Sequence, residues 1–252
     1  MIYNLKWLIA KFDAGEHLKF LFFWGHSKNS KDEIGKSCFS QWFELPFTVD
    51  GITYKTAEHW MMANKALLFE DLKTFNKIIN ARSPAEAKKF GRDVLGFDEH
   101  AWIEKRTNIV VTGNIHKFNQ HPEYAKYLID TNERILVEAS PVDSIWGVGL
   151  SKDDEHIDNP YCWNGENLLG FALMEVRDFL VKVGHFEDLE NVAERPWKKY
   201  PSVDPRDMFW RMGKGEDTLD NFFKYVNGLS ERDRTILKLT NPVYFEWEYL
   251  NT

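Results

Sequence analysis

Cysteine is scarce: Cys38 and Cys162 are the only two and lie far apart in the chain. A disulfide framework cannot be built from them, and reduced thiols in the cytoplasm are the expectation. Basic residues are also in short supply. The formal net charge of -7 excludes a general nucleic-acid surface, although a local phosphate site is still allowed. The apolar stretch LKFLFFWG is far too short to span a bilayer, and no basic segment precedes it as in a secretory signal. It reads as a buried strand, with no membrane attachment. The eight histidines form neither HExxH nor a Cys/His metal spacing. A Gly-x-Ser-x-Gly elbow and a Walker loop are missing too. Metalloenzyme, α/β-hydrolase and P-loop classes therefore fall away, and no metal is expected. Internal repeats and low-complexity tracts are absent as well.

Large aromatics are what the chain has in quantity: ten Trp, nineteen Phe and nine Tyr. They supply rigid core pieces and, equally, flat walls for a pocket that takes planar ligands. FELPFTVDGITY carries a hairpin signal, with Phe47 and Val49 alternating before Asp50-Gly51, then Ile52 and Tyr54. Thr56 caps a helix running to about Leu68, although His59 stands where a capping box would have Glu or Gln. Leu72, Phe75, Ile78 and Ile79 mark a second helix. Ser83-Pro84-Ala85-Glu86 opens a third that ends near Gly91. Asp98 caps a longer helix carrying Trp102, Arg106, Ile109, Val110 and Gly113. His121-Pro122 breaks that pattern ahead of a short helix through Leu128. A short strand is expected at Ile135 to Val137, and a helix from about Leu168 to Val183 stopped by Gly184.

The texture changes past Gly184. A polar, proline-bearing segment reads as a linker over a surface, followed by two short helices between 218 and 240, the second capped at Ser230. The predicted organisation is a compact, mainly α domain with a few short strands over residues 1–184. A helical extension over 185–252 follows it, with no role assigned.

Three stretches can carry chemistry. In YKTAEHWMMANKALLF, Glu58 and Lys65 stand seven residues apart and return to nearly the same helix face. They are separated by roughly 10 Å along the axis, which suits the two ends of one ligand. An amine among Met and Trp loses hydration and becomes a nucleophile able to form an imine with an aldehyde. The plain alternative is a snorkelling Lys65 with a solvated Glu58, and His59 as a packing residue. In VEASPVDSIWGVG, Glu138 and Asp143 flank a Ser-Pro turn at Ser140, and Trp146 precedes Gly147 and Gly149. Such glycines allow close backbone approach or positive φ, a Trp beside them can stack on a ring, and a carboxylate can act as base or face a sugar cation. A buried loop with Asp143 as turn former is the alternative. In WNGENLLG, N–H groups ahead of a helix make an anion site, or else Asn164 or Asn167 is simply a cap. Arg92 and Arg106 are further candidates to meet a phosphate.

Taken together these stretches resemble the YbiA/NADAR family of N-glycosidases. The likeness runs from FFWGH and SQWFELPFTVDGITYKTAEHWMMANKA through FGRDV and FDEHAW. It continues over Lys117-Phe118 to LVEASPVDSIWGVGL and WNGENLLGFALMEVR. It implies a mainly α-helical fold, no cofactor, and hydrolysis of a bond between ribose C1 and a base nitrogen. Family substrates include phosphoribosylamino-pyrimidine intermediates of riboflavin synthesis and guanine carrying ADP-ribose. A small nucleotide-like substrate, or an ADP-ribosylated nucleic-acid end, is therefore the implied partner. Glu58 and Lys65 fall on the family's helix and Asp143 and Trp146 on its loop, so Glu58, Lys65 and Asp143 are the expected catalytic residues. The residues expected around the substrate are His59, Gln41, Trp42, Arg92, Trp102, Ser140, Trp146, Gly147, Trp163 and Asn167. Members often read FSNFY where this chain has FSQWF, so Gln41 and Trp42 bear on how the base is gripped. An ADP-ribose recognition module without catalysis is the rival reading.

Overall fold

The computed structural model describes residues 2–27, 34–187, 195–200, 202–204 and 206–240. The polar stretch HSKNSKDEIGKS at 26–37, which reads in sequence as an exposed loop, and the expected linker past Gly184 each lie partly outside those residues. The chain divides into two units, Met1–His185 and Phe186–Thr252.

In the first unit, helix α1 (Leu5–Asp13) precedes strand β1 (Phe20–Phe23), and β2 (Phe47–Val49) and β3 (Ile52–Tyr54) form the hairpin. Asp50 and Gly51 both take positive φ at its two-residue turn, as such a turn requires. Helices α2 (Ala57–Leu68), α3 (Leu72–Ile79), α4 (Pro84–Arg92), α5 (Glu99–Asn119) and α6 (Pro122–Ile129) follow, then β4 (Ile135–Glu138) and α7 (Leu168–Val183). The caps are those the sequence announces. Thr56, Ser83 and Asp98 accept from His59, Glu86 and Ala101 N–H groups respectively. The expected strand at 18–25 is shorter than the apolar run. It pairs in parallel with β4, Phe20 against Ile135 and Phe23 against Glu138.

Two features position everything else. Helix α2 packs against α3, α4 and α5, so it is enclosed rather than amphipathic, with Ala57 to Ala63 all buried. Helix α7 packs on β4 and α5 and closes the core around Leu136, Ile115, Phe118 and Phe171, all fully buried. Side chains of that size gain about 1.5–3 kcal/mol each on burial. Lys117 is buried at the centre of this layer. Its ammonium donates to the carbonyls of Cys38 at 2.6 Å and Ser40 at 3.2 Å, pinning the segment that leads to Gln41 and Trp42. The same burial lowers the Lys117 amine to about 8 and raises the Cys38 thiol to about 12.

The second unit holds α8 (Pro196–Lys199), α9 (Gly213–Gly228) and α10 (Glu231–Thr240). Trp210 and Leu219 are buried there, with Tyr200, Val203, Phe209 and Phe223 packed against them. Ser230 caps α10, its Oγ accepting from the Asp233 N–H at 3.1 Å. No helix among the described residues is long and apolar enough to cross a membrane, and none of their His, Cys, Asp and Glu side chains group as a metal site would need.

Candidate active site

The first turn of α2 brings Glu58 indoors. It is 2% exposed, and its N–H donates to the Gln41 carbonyl at 2.9 Å. Burial pushes its carboxyl up to about 7. The charge of Asp143 acts in the same direction, while Lys88, the Trp42 indole and Arg92 pull the other way. Glu138, at the end of β4, is pushed up to about 8, again by burial first and then by Asp143 and Glu58, with Lys88 opposing. Glu58 Oε1 and Glu138 Oε2 are buried and accept no hydrogen bond from any described residue. Two such acids in mutual electrostatic reach hold their protons near neutrality, where a proton donor works best.

The other groups arrive from three segments. Asp143 is fixed by its own turn, Oδ1 accepting the N–H groups of Ile145 at 2.9 Å and Trp146 at 2.8 Å. Lys88 and Arg92 sit one turn apart on α4, and the Lys88 ammonium lies 5.9 Å from the Trp42 ring centre. The half-buried Trp42 ring has the His26 imidazole 5.5 Å away on centroids.

Gln41 is the most informative of the smaller residues. Asn114 Nδ2 donates to the Val110 carbonyl at 2.9 Å, which fixes which end of that amide is nitrogen. The same Nδ2 donates to Gln41 Oε1 at 2.8 Å. Gln41 is thereby oriented with Nε2 as its free end, buried and without a partner among the described residues. A buried donor left open costs about 1–3 kcal/mol unless something accepts from it.

The loop after β4 holds these pieces at close range. Gly147 is required: a Cβ there would sit 2.8 Å from the Glu138 carbonyl and 3.0 Å from that of Asp143. The buried Ser140 donates its N–H back to the Glu138 carbonyl at 2.9 Å. Trp146 is half-buried on this loop.

Four residues singled out in the sequence, His59, Lys65, Trp102 and Trp163, make their contacts away from this group, and a fifth, Asn167, meets it only through the backbone of Glu138. His59 is enclosed, its Nδ1 accepting from the Thr56 hydroxyl at 2.8 Å and its Nε2 donating to the Ala81 carbonyl at 3.3 Å. Lys65 donates to the Gly91 carbonyl at 2.9 Å and lies over the Phe97 ring at 4.1 Å, with Trp102 at 5.6 Å. Desolvation lowers its proton affinity. Trp163 is a core residue whose Nε1 donates to the Ile157 carbonyl at 2.7 Å. Asn167 spends its side chain on β4, Oδ1 accepting the Glu138 N–H at 3.0 Å and Nδ2 donating to Leu136 at 2.9 Å.

Two members of the group carry weak signals in the sequence. Glu138 stands beside the Ser-Pro turn, yet nothing local says that its carboxyl is desolvated. Lys88 is one of two adjacent lysines on α4. Only its placement one turn before Arg92, on the face turned to α2, separates it from Lys89.

The chain that builds this site is similar to several known proteins. The NADAR domain pattern matches residues 22–181. N-glycosidase R617 of Acanthamoeba polyphaga mimivirus is 40% identical over 165 residues, covering 64% of this chain and 95% of that protein. N-glycosidase YbiA of Escherichia coli (strain K12) is 32% identical over 152 residues, covering 60% and 85%. The NMR structure of E. coli YbiA matches at a TM-score of 0.52 and 30% identity, covering 68% of this chain and 90% of that one. The protein is a glycosidase, an enzyme for N-glycosyl bonds. Its chain belongs to the NADAR domain family.

Proposed function

We propose that the protein hydrolyses the bond between ribose C1 and a base or amine nitrogen in a phosphoribosyl- or ADP-ribosyl-bearing substrate. The observation that carries this reading is the pair Glu58 and Glu138, two carboxyls raised to about 7 and about 8 beside Asp143. Glu58 delivers its proton to the leaving nitrogen as the C1–N electron pair departs with it. The positive charge left on C1 and the ring oxygen is offset by the Asp143 carboxylate. Trp42 and Trp146 supply flat faces for the base, and the open Gln41 amide donates to an acceptor on its edge.

The amine role falls to Lys88 in this reading, because its charge is felt at both glutamates. Glu58, ionised once it has protonated the base, takes a proton from the Lys88 ammonium, and the neutral nitrogen bonds to C1. A second proton passes from that nitrogen to the ring oxygen as the C1–O bond opens to a protonated imine, and water then returns the sugar aldehyde and the Lys88 ammonium. Lys65, the amine that helical spacing points to, keeps a fixed charge under Trp102 instead.

The test is chromatographic release of free base from ADP-ribosylated guanosine and from a phosphoribosylamino-pyrimidine, offered side by side. Borohydride during turnover, with the adduct mapped by mass spectrometry, reports the amine. Release from one substrate with a reduced adduct on Lys88 is the expected result. An adduct on Lys65 moves the role there, and no adduct at all leaves direct attack by water. Release from neither substrate, with ADP-ribose still bound, overturns the catalytic reading in favour of recognition.

A further inference from the structure

Arg106 is an anomaly that the chemistry at C1 leaves unexplained. It sits in the middle of α5, one turn after Trp102, with only 9% of its surface exposed. Its Nε is buried and has no partner among the described residues. Its ion pair is with Glu166, at 3.5 Å, and the Glu166 side chain is 56% exposed. A guanidinium carries five N–H donors in a planar fork, and holding it out of water costs several kcal/mol unless anions and acceptors compensate. One long, half-solvated contact is poor compensation. The protein keeps a mostly buried cation whose Nε donor is unspent.

Its location says what it serves. The Glu166 N–H donates to the Ser144 carbonyl at 3.0 Å, one residue beyond Asp143. Gly165, just before, has no room for a Cβ, with the Gly147 carbonyl 2.3 Å from where it would be. The segment that presents Glu166 to Arg106 is therefore packed directly on the loop that aims Asp143. Through Glu166 and that segment, Arg106 is tied to the loop that carries Asp143. Asn167, another candidate for holding phosphate, has both side-chain groups committed to β4.

We propose that Arg106 is the binding residue for a phosphate carried on the sugar of the substrate, and that Glu166 is a built-in anion which that phosphate displaces. The inference rests on the glycosidase reading only for the identity of the sugar. A phosphate satisfies the fork through two oxygens at once, which a single carboxylate oxygen at 3.5 Å does not. Glu166, being half-exposed, loses little by turning to solvent. In the empty site it screens the cation, and it weakens phosphate binding by competing for it.

Calorimetric binding of ribose 5-phosphate and of ribose to the full chain tests this without turnover. Wild type is expected to bind the phosphorylated sugar at least about tenfold more tightly. Arg106→Gln should abolish that preference, with a melting curve to verify folding. Glu166→Gln, with a melting curve to verify folding, should tighten ribose 5-phosphate about threefold or more and leave ribose unchanged. Equal affinity of wild type for the two sugars overturns the proposal, as does a Glu166→Gln variant that binds ribose 5-phosphate no better than wild type. Loss of base release with this binding pattern intact would instead count against the glycosidase reading alone.

Discussion

The amide of Asn167 clasps the last residue of β4: its Oδ1 accepts the backbone N–H of Glu138 at 3.0 Å while its Nδ2 donates to Leu136 at 2.9 Å. Asn167 holds a left-handed conformation to do so, at φ 54, where asparagine is tolerated better than most residues. Helix α7 and the carboxyl of Glu138 are thus positioned by one side chain. Asn167→Ala removes two buried hydrogen bonds and adds left-handed strain, so a loss of about 3 kcal/mol is expected in urea unfolding. Base release should fall with it. A residue that only gripped phosphate would raise KM and leave the unfolding midpoint where it was.

Gln41 offers a sharper probe of recognition. Its carbonyl takes the Glu58 N–H and its side chain is set by Asn114, so Gln41→Leu keeps the backbone bond and deletes the open donor. We expect KM for the cleaved substrate to rise by about tenfold, with stability unchanged or slightly improved. Asn114→Ala should have a smaller effect on KM, because the Gln41 amide then rotates but remains. Comparable KM values for wild type and Gln41→Leu would remove Gln41 from base recognition.

How far the sequence carried depends on whether a signal was local. Caps at Thr56, Ser83 and Asp98, the Asp50-Gly51 turn and the Gly184 stop each act within a few residues, and the elements they bound appear where expected. The parallel pairing of Phe20 with Ile135 was not legible, since nothing near either strand names a partner so distant in the chain. The same division runs through the site. Glu58, Asp143, Gln41 and Trp42 stand out by residue type, and the fold brings them together. Lys65 stands out by helical spacing to Glu58, but spacing is blind to the neighbouring α4, whose Gly91 carbonyl takes its ammonium. Lys88 and Glu138 depend on the packing of α4 and β4 against α2, which no periodicity encodes. The enclosure of α2 itself was hidden, because its few charged residues mimic a wet face.

Two glycines allow a prediction about that packing. A Cβ on Gly113 would lie 2.2 Å from Trp60 Cδ1, and the indole cannot swing aside because its Nε1 is held by the Ile109 carbonyl at 2.8 Å. A Cβ on Gly91 would lie 2.1 Å from the Met62 sulfur, the flexible part of a thioether. Both positions are helical, so alanine gains similar propensity at each. Thermal melts should show Gly113→Ala destabilised by about 2 kcal/mol and Gly91→Ala by less than about 1 kcal/mol. Equal losses at the two sites would mean that Trp60 has freedom its hydrogen bond does not suggest.

The raised carboxyls tie stability to pH in a direction opposite to that of ordinary surface acids. Glu58 at about 7 and Glu138 at about 8 bind protons more tightly folded than unfolded, where both have the usual value near 4.5. Between about pH 5 and pH 8 the folded chain therefore carries more protons than the unfolded one, and linkage makes stability fall as pH rises. The contribution is complete below the unfolded value and lost once pH passes the folded ones. Glu58→Gln keeps the shape of the side chain and removes the titration. It should match wild type near pH 5, exceed it in melting temperature at pH 8, and release base at least about a hundredfold more slowly at both. Glu138→Gln should flatten the same slope and shift the pH profile of base release with it. A Glu58→Gln variant as steeply pH-dependent as wild type would place the titrating group elsewhere, and one that kept its rate would deprive Glu58 of the proton-donor role.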